Sequence, residues 1–103
     1  MRFIIYGAGK RGRELLEVIG KENTIAFVDS DNAKCGTEYC SLPVMSVEDL
    51  QLFSDPVMCI VTPVSGRRNI VEELRKRGIR NSIPLKPFDN LLRYVKKSVF
   101  DFI

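Results

Sequence analysis

The stretch that decides the fold runs from Ile4 to Leu16 and has the sequence IIYGAGKRGRELL. It begins as an apolar strand, continues as a turn with the spacing G-x-G-x-x-G, and ends with apolar residues at helical spacing. A helix that starts directly after such a turn presents backbone N–H groups and a partial positive charge to an anion. This order of strand, turn and helix is therefore typical of a phosphate-binding site.

Each glycine of the turn has its own expected role. Gly7 allows the tight turn after the strand, and Gly9 allows a pyrophosphate to approach the backbone. Gly12 allows the helix to pack closely against the strand. The alternative is an ordinary strand-to-helix turn, because glycine is common and the motif alone has low specificity.

The remaining positions of the turn are Ala8, Lys10 and Arg11. The dipole at the start of a helix disfavours cations, so two cations there favour an anion nearby. We expect Lys10 or Arg11 to contact a phosphate group. The alternative is that both are surface residues.

An acidic residue follows the second apolar segment, TIAFV, which covers residues 24–28. Asp29 comes about 20 residues after the glycines, where an acidic side chain accepts the ribose hydroxyls in a dinucleotide site. Ser30 and Asp31 continue this predicted site. A carboxylate there repels a 2′-phosphate and disfavours NADP. The alternative for Asp29 is a cap on the turn that follows the strand.

A third loop follows the apolar segment at residues 57–61. We expect Thr62 and Pro63 to end that strand and Ser65 to cap the next helix. Arg67 or Arg68 would then contact a distal phosphate or sugar through the planar guanidinium group. The alternative is again a solvated surface.

Strands and helices alternate along the chain, which predicts a doubly wound α/β fold with a parallel sheet and helices on both faces. The predicted strands are residues 2–6, 24–28, 42–44, 57–61 and 82–85. The predicted helices are residues 10–19, a short helix from Ser46, a helix from Ser65 and a terminal helix at 88–99. The predicted strand order is 3-2-1-4-5, which brings the three loops to one crevice at the carboxyl edge of the sheet.

Length and composition predict a single domain over residues 1–103. No apolar run reaches the roughly 20 residues that span a membrane, and the amino terminus leads directly into a strand, so we expect a cytoplasmic protein without membrane insertion. The chain has three cysteines and no histidine, which predicts reduced thiols and no metal site.

Charge is distributed unevenly. Residues 1–63 carry six Lys and Arg against nine Asp and Glu, whereas residues 64–103 carry ten against four. A basic segment of this kind is usually a solvated helix face. It lacks interleaved aromatic residues and any recognition motif, so we expect no nucleic-acid partner. The predicted crevice also contains no histidine and no nucleophile–base pair, and no active site can be assembled from it.

The segments YGAGKRGRELL, IAFVDSDNAKCG, LPV and IVTP resemble the amino-terminal Rossmann-like domain of bacterial sugar-nucleotide enzymes. These include UDP-4-amino-sugar acetyltransferases and dehydratases of polysaccharide synthesis, and the resemblance covers about residues 2–80. It implies a UDP-sugar with its phosphates on the glycines, or NAD as in similar oxidoreductase domains. The acetyltransferases commonly have glycine and histidine at positions 10 and 11, and we expect no counterpart of their left-handed helix domain within these 103 residues.

Two functions remain open from the sequence. The first is a nucleotide-binding module for NAD or a UDP-sugar in bacterial surface-sugar metabolism, with a catalytic partner domain or a second copy as further partner. The second is a non-catalytic interaction or sensor domain. It would use the basic carboxy-terminal half and the apolar end, residues 99–103, to hold a partner.

Overall fold

The computed structural model describes residues 2–52, 57–79 and 81–85 of the 103-residue chain. The strands are β1 (Arg2–Tyr6), β2 (Thr24–Val28), β3 (Glu38–Tyr39), β4 (Leu42–Met45), β5 (Val57–Val61) and β6 (Ser82–Pro84). The α-helices are α1 (Lys10–Ile19) and α2 (Arg67–Lys76), and short 3₁₀ helices cover Lys21–Asn23 and Glu48–Leu52. The predicted terminal helix at 88–99 lies outside the described residues.

The strands form one sheet in the order β3-β4-β2-β1-β5-β6. All pairs are parallel except β3 with β4, which is antiparallel. Apart from β3, this is the predicted order 3-2-1-4-5. The doubly wound prediction is confirmed, with one short strand added at the edge.

Alternate residues of the central strands point to opposite faces of the sheet and build two cores. On one face Ile5 and Phe27 pack with Leu15 and Ile19 of α1. On the other face Ile4 and Cys59 belong to the cluster that contains Val71 and Leu74 of α2. Each helix therefore covers its own face, and the two helices start at the same edge of the sheet.

The added strand β3 is not among the strands that the sequence predicts. Its Tyr39 ring packs edge-on against Phe27, with 5.1 Å between the ring centroids. The turn into β4 places Cys40 at φ 53° and Ser41 at φ 64°. Two consecutive positive φ angles suit a tight hairpin turn, in which glycine or asparagine is the usual choice. A Cys-Ser pair gives no such sequence signal.

The two helix starts that the sequence predicts at serine residues have different outcomes. At the predicted start of the short helix, the Ser46 N–H donates to Asp49 Oδ2 at 3.2 Å and the Asp49 N–H donates to Ser46 Oγ at 3.4 Å, which forms a capping box. The predicted Ser65 cap is wrong. Helix α2 begins after Gly66, whose carbonyl accepts from the Ile70 N–H at 3.0 Å and which has φ 71° and no side-chain cap.

Candidate functional site

The glycine turn follows β1 at the carboxyl edge of the sheet. Gly7 has φ 110°, and its N–H donates to the Val28 carbonyl at 2.7 Å. A Cβ at Gly7 would collide with the Thr62 hydroxyl, and a Cβ at Gly12 would collide with the Gly7 carbonyl and lie 3.1 Å from the Phe27 ring. Both glycines are therefore required by the packing of the fold itself.

Gly9 differs from the other two glycines of the motif. Its φ of −141° is open to any residue, and a Cβ built on it meets nothing within 4 Å. It is the N-cap of α1, yet no side chain caps this helix, and the first turn has no acidic residue. Neither backbone conformation nor protein packing requires a glycine here, and the space around a Cβ at this position is open.

The two predicted cations lie in the first turn of α1. Lys10 is exposed and Arg11 is half-buried. Arg13, also exposed, follows on the same turn, and its N–H donates to the Gly9 carbonyl at 2.9 Å. Three cations therefore accompany the positive end of the helix dipole, an arrangement that attracts an anion.

Asp29 directs its carboxylate at the glycine turn. Its Oδ2 accepts a hydrogen bond from the Ala8 N–H at 2.9 Å, and its Oδ1 accepts one from the Asp31 N–H at 2.9 Å. The ammonium group of Lys34 lies 3.8 Å from Oδ2 and donates to the Ala8 carbonyl at 3.2 Å. The structure thus brings Asp29 to the loop, and it adds Lys34, which the sequence analysis missed. The only signal in the sequence was a cation five residues after the acidic residue.

Ser30 and Asp31 have different surroundings. The Ser30 side chain is hydrogen-bonded to Tyr6, whose pKa is raised, chiefly by burial. Asp31 is exposed, and its Oδ1 accepts from the Ala33 N–H at 3.0 Å. Both residues are exposed; Ser30 contacts the end of β1 through Tyr6, and Asp31 contacts its own loop through the Ala33 N–H.

The third predicted loop contacts the first one. The Thr62 hydroxyl and N–H both donate to the Tyr6 carbonyl, at 2.8 Å and 3.0 Å. Arg67 is only 8% exposed, and its guanidinium group donates to the Pro63 carbonyl at 2.9 Å and the Thr62 carbonyl at 3.2 Å. These contacts fix the loop after β5 against the glycine turn. They also use part of the hydrogen-bonding capacity of Arg67 within the protein.

A cleft of about 440 Å³ opens beside Asp29, between the end of β2 and α2. Its apolar wall includes Ile70, and its polar lining includes Tyr6, Ser30, Asn32 and Asn69. This volume lies within the usual range of about 300–1,000 Å³ for small-molecule sites. Most of the residues that line the cleft are polar or charged, so it suits a small ligand with hydrogen-bonding groups.

Arg77 closes the rim of this cleft. Its Nε lies 3.2 Å from Glu73 and its Nη1 lies 3.7 Å from Glu48, so the end of α2 is joined to the 3₁₀ helix after β4. A larger cavity of about 830 Å³ lies beside the start of α2 and is lined by Gly66, Arg67 and Pro84, among others. Neither the glycine turn nor Asp29 lines that cavity, and we assign no ligand to it.

The described residues contain no group of three or more metal-ligating side chains. No helix within the described part of the chain is long and apolar enough to cross a membrane.

Comparisons with known proteins support the fold. No protein-family model matches the chain, and no curated protein matches it significantly. The chain is similar to UDP-D-quinovosamine 4-dehydrogenase from Vibrio fischeri, with a TM-score of 0.62 and 26% identity over 81% of this chain and 77% of that one. It is also similar to RSP, a Rex-family repressor, with a TM-score of 0.61 and 18% identity over 99% of this chain and 62% of that one. The chain has a Rossmann-like fold.

Proposed function

We propose that this chain is a nucleotide-binding module for a ligand that contains a diphosphate, NAD or a UDP-sugar. The observation that carries the proposal is the open space at Gly9. The fold requires Gly7 and Gly12 but not Gly9, so the glycine there is explained by a ligand that approaches the backbone. The amide groups at the start of α1, with Lys10 and Arg11, would hold the diphosphate.

The nucleoside would lie beside Asp29. A carboxylate has about four lone-pair positions, and the N–H groups of Ala8 and Asp31 each use one. A sugar hydroxyl would share the carboxylate with these groups, and the base would enter the cleft lined by Tyr6 and Ser30. Thr62, Pro63 and Arg67 would form the third side of the site, as the sequence analysis expected.

A place in bacterial sugar-nucleotide or surface-polysaccharide metabolism belongs to the same proposal. It is supported by the resemblance stated above and by the similarity to UDP-D-quinovosamine 4-dehydrogenase. We propose binding rather than catalysis for this chain, with a catalytic partner domain or a second copy as its further partner.

Substitution of Gly9 tests the proposal without disturbing the fold. Serine and aspartate are better N-cap residues than glycine, so Gly9→Ser and Gly9→Asp should keep or slightly raise stability. Both fill the open space and occupy the helix amides, and aspartate also repels phosphate. Calorimetric titration with NAD, UDP and UDP-N-acetylglucosamine should show binding to the unaltered protein and a loss of at least tenfold in both variants.

Two results would contradict the proposal. One is the absence of binding by the unaltered protein at millimolar concentrations of every nucleotide, which would favour the interaction or sensor domain. The other is unchanged affinity in Gly9→Asp, which would put the ligand elsewhere. Thermal melts of each variant provide the control for folding.

A further inference from the structure

The ammonium group of Lys34 occupies a defined position at the glycine turn. It donates to the Ala8 carbonyl at 3.2 Å and lies 3.8 Å from Asp29 Oδ2, which itself accepts from the Ala8 N–H at 2.9 Å. Ala8, Asp29 and Lys34 therefore each contact the other two. Ala8 directly precedes Gly9, where a Cβ would meet nothing within 4 Å.

The backbone around Lys34 is held on both sides. Its N–H donates to the Asp31 carbonyl at 3.0 Å, and its own carbonyl accepts from the Thr37 N–H at 3.3 Å. The Gly36 N–H then joins this loop to the Val44 carbonyl of β4 at 2.9 Å. A side chain that starts from a fixed backbone loses less conformational entropy when it binds a ligand.

The negative charge at the turn indicates a role for Lys34. The Asp29 carboxylate is bonded to the same loop that would receive a diphosphate, and its negative charge opposes that ligand. The ammonium group of Lys34 lies 3.8 Å from Asp29 Oδ2 and offsets this charge. An ammonium group has three donors, the Ala8 carbonyl uses one of them, and the side chain is 47% exposed. Donors therefore remain for a ligand.

We infer that Lys34 binds the diphosphate of the nucleotide directly, as a charged partner of the glycine turn. The inference rests on the proposed function and adds a binding residue to it. Lys34 thus works beside Asp29: the carboxylate accepts from the sugar, and the ammonium donates to the phosphates.

The test compares Lys34→Met and Lys34→Arg with the matched control Lys21→Met. Lys21 is exposed and precedes β2, at the opposite edge of the sheet. NMR titrations with UDP and ADP, and with uridine and adenosine, measure affinities into the millimolar range at two salt concentrations. Lys34→Met should bind the diphosphates about tenfold more weakly and with a reduced salt dependence, since a charge-assisted hydrogen bond is lost. Nucleoside affinity should stay unchanged, and Lys34→Arg should retain most of the diphosphate affinity.

The outcomes separate the two proposals. If the unaltered protein binds no nucleotide, the proposed function fails and the role of Lys34 fails with it. If the unaltered protein binds and Lys34→Met binds diphosphates equally well, only the role of Lys34 is overturned. Equal losses for nucleosides and diphosphates would also overturn it, because Lys34 would then act only by orienting Asp29.

Discussion

The backbone N–H of Ala8 donates a hydrogen bond of 2.9 Å to the carboxylate of Asp29, which lies 21 residues further along the chain. The residue that follows β2 therefore holds the turn that follows β1. This contact makes the glycine turn and the Asp29 loop a single unit, and it gives Asp29 a structural role in addition to the proposed role in binding.

Replacement of Asp29 should therefore lower stability as well as binding. Asp29→Asn keeps the shape of the side chain but removes the charge that Ala8 and Lys34 contact. Loss of a hydrogen bond to a charged group costs about 2 kcal/mol in the free energy of unfolding. Urea denaturation measures this loss, with Asp31→Asn as the exposed control and an expected change under about 0.5 kcal/mol. Equal stability of the two variants would contradict the structural role.

Gly7 and Gly12 should tolerate no side chain. Gly36 has φ 84° and open space around it, so Gly36→Ala measures the cost of positive φ alone, about 1 kcal/mol. Gly7→Ala adds a collision with Thr62, and Gly12→Ala forces α1 away from β1. Both should cost about 2–4 kcal/mol, within the range for overpacked sites. Chemical denaturation measures the free energy of unfolding of the three variants. A smaller loss of stability in Gly7→Ala than in Gly36→Ala would refute the packing argument.

The hairpin turn offers a stabilising substitution. Ser41 has φ 64°, which strains a residue with a side chain but not glycine. Ser41→Gly should raise the free energy of unfolding by about 0.5–1 kcal/mol, after the added entropy of the unfolded chain is included. Ser41→Ala keeps the strain and is the control. A thermal melt in which Ser41→Gly unfolds at a lower temperature than Ser41→Ala would show that the turn is not under strain.

Cys59 should make stability fall at alkaline pH. Burial raises the pKa of its thiol from 9.0 to about 12. Between these values the unfolded chain loses the proton and the folded protein keeps it, so unfolding is favoured by about 1.4 kcal/mol per pH unit. The contribution is complete below pH 9 and is lost as the pH rises toward 12. Denaturation at pH 8–11 should give a steeper decline for the unaltered protein than for Cys59→Ala; parallel curves would exclude this origin.

Much of the fold could be predicted because local signals agree with the tertiary structure. The glycine spacing marks the end of β1 and the start of α1, and Gly20 marks the end of α1, so the predicted bounds 10–19 match the helix. Continuous apolar segments at 24–28 and 57–61 indicated buried parallel strands. Each of these signals lies within a short stretch of consecutive residues, so one amino-acid sequence is enough to show it.

The features that sequence analysis missed depend on contacts between distant residues. Strand β3 requires positive φ at Cys40 and Ser41, residue types that do not signal a turn. Asp29 could be placed at the sheet edge, but its bond to Ala8 depends on a side-chain conformation. Arg67 was expected at a ligand, and its guanidinium group is bonded to two backbone carbonyls after β5. Its contact with a ligand stays a prediction.

Because the three glycines have unequal roles, we expect the three positions to change differently during evolution. A lineage that lost its ligand would still retain Gly7 and Gly12, because selection for a stable protein preserves them. Position 9 would drift toward serine or aspartate, which cap helices better than glycine. Among descendants of this chain, the residue at position 9 would distinguish those that still have a ligand from those that have kept only the architecture.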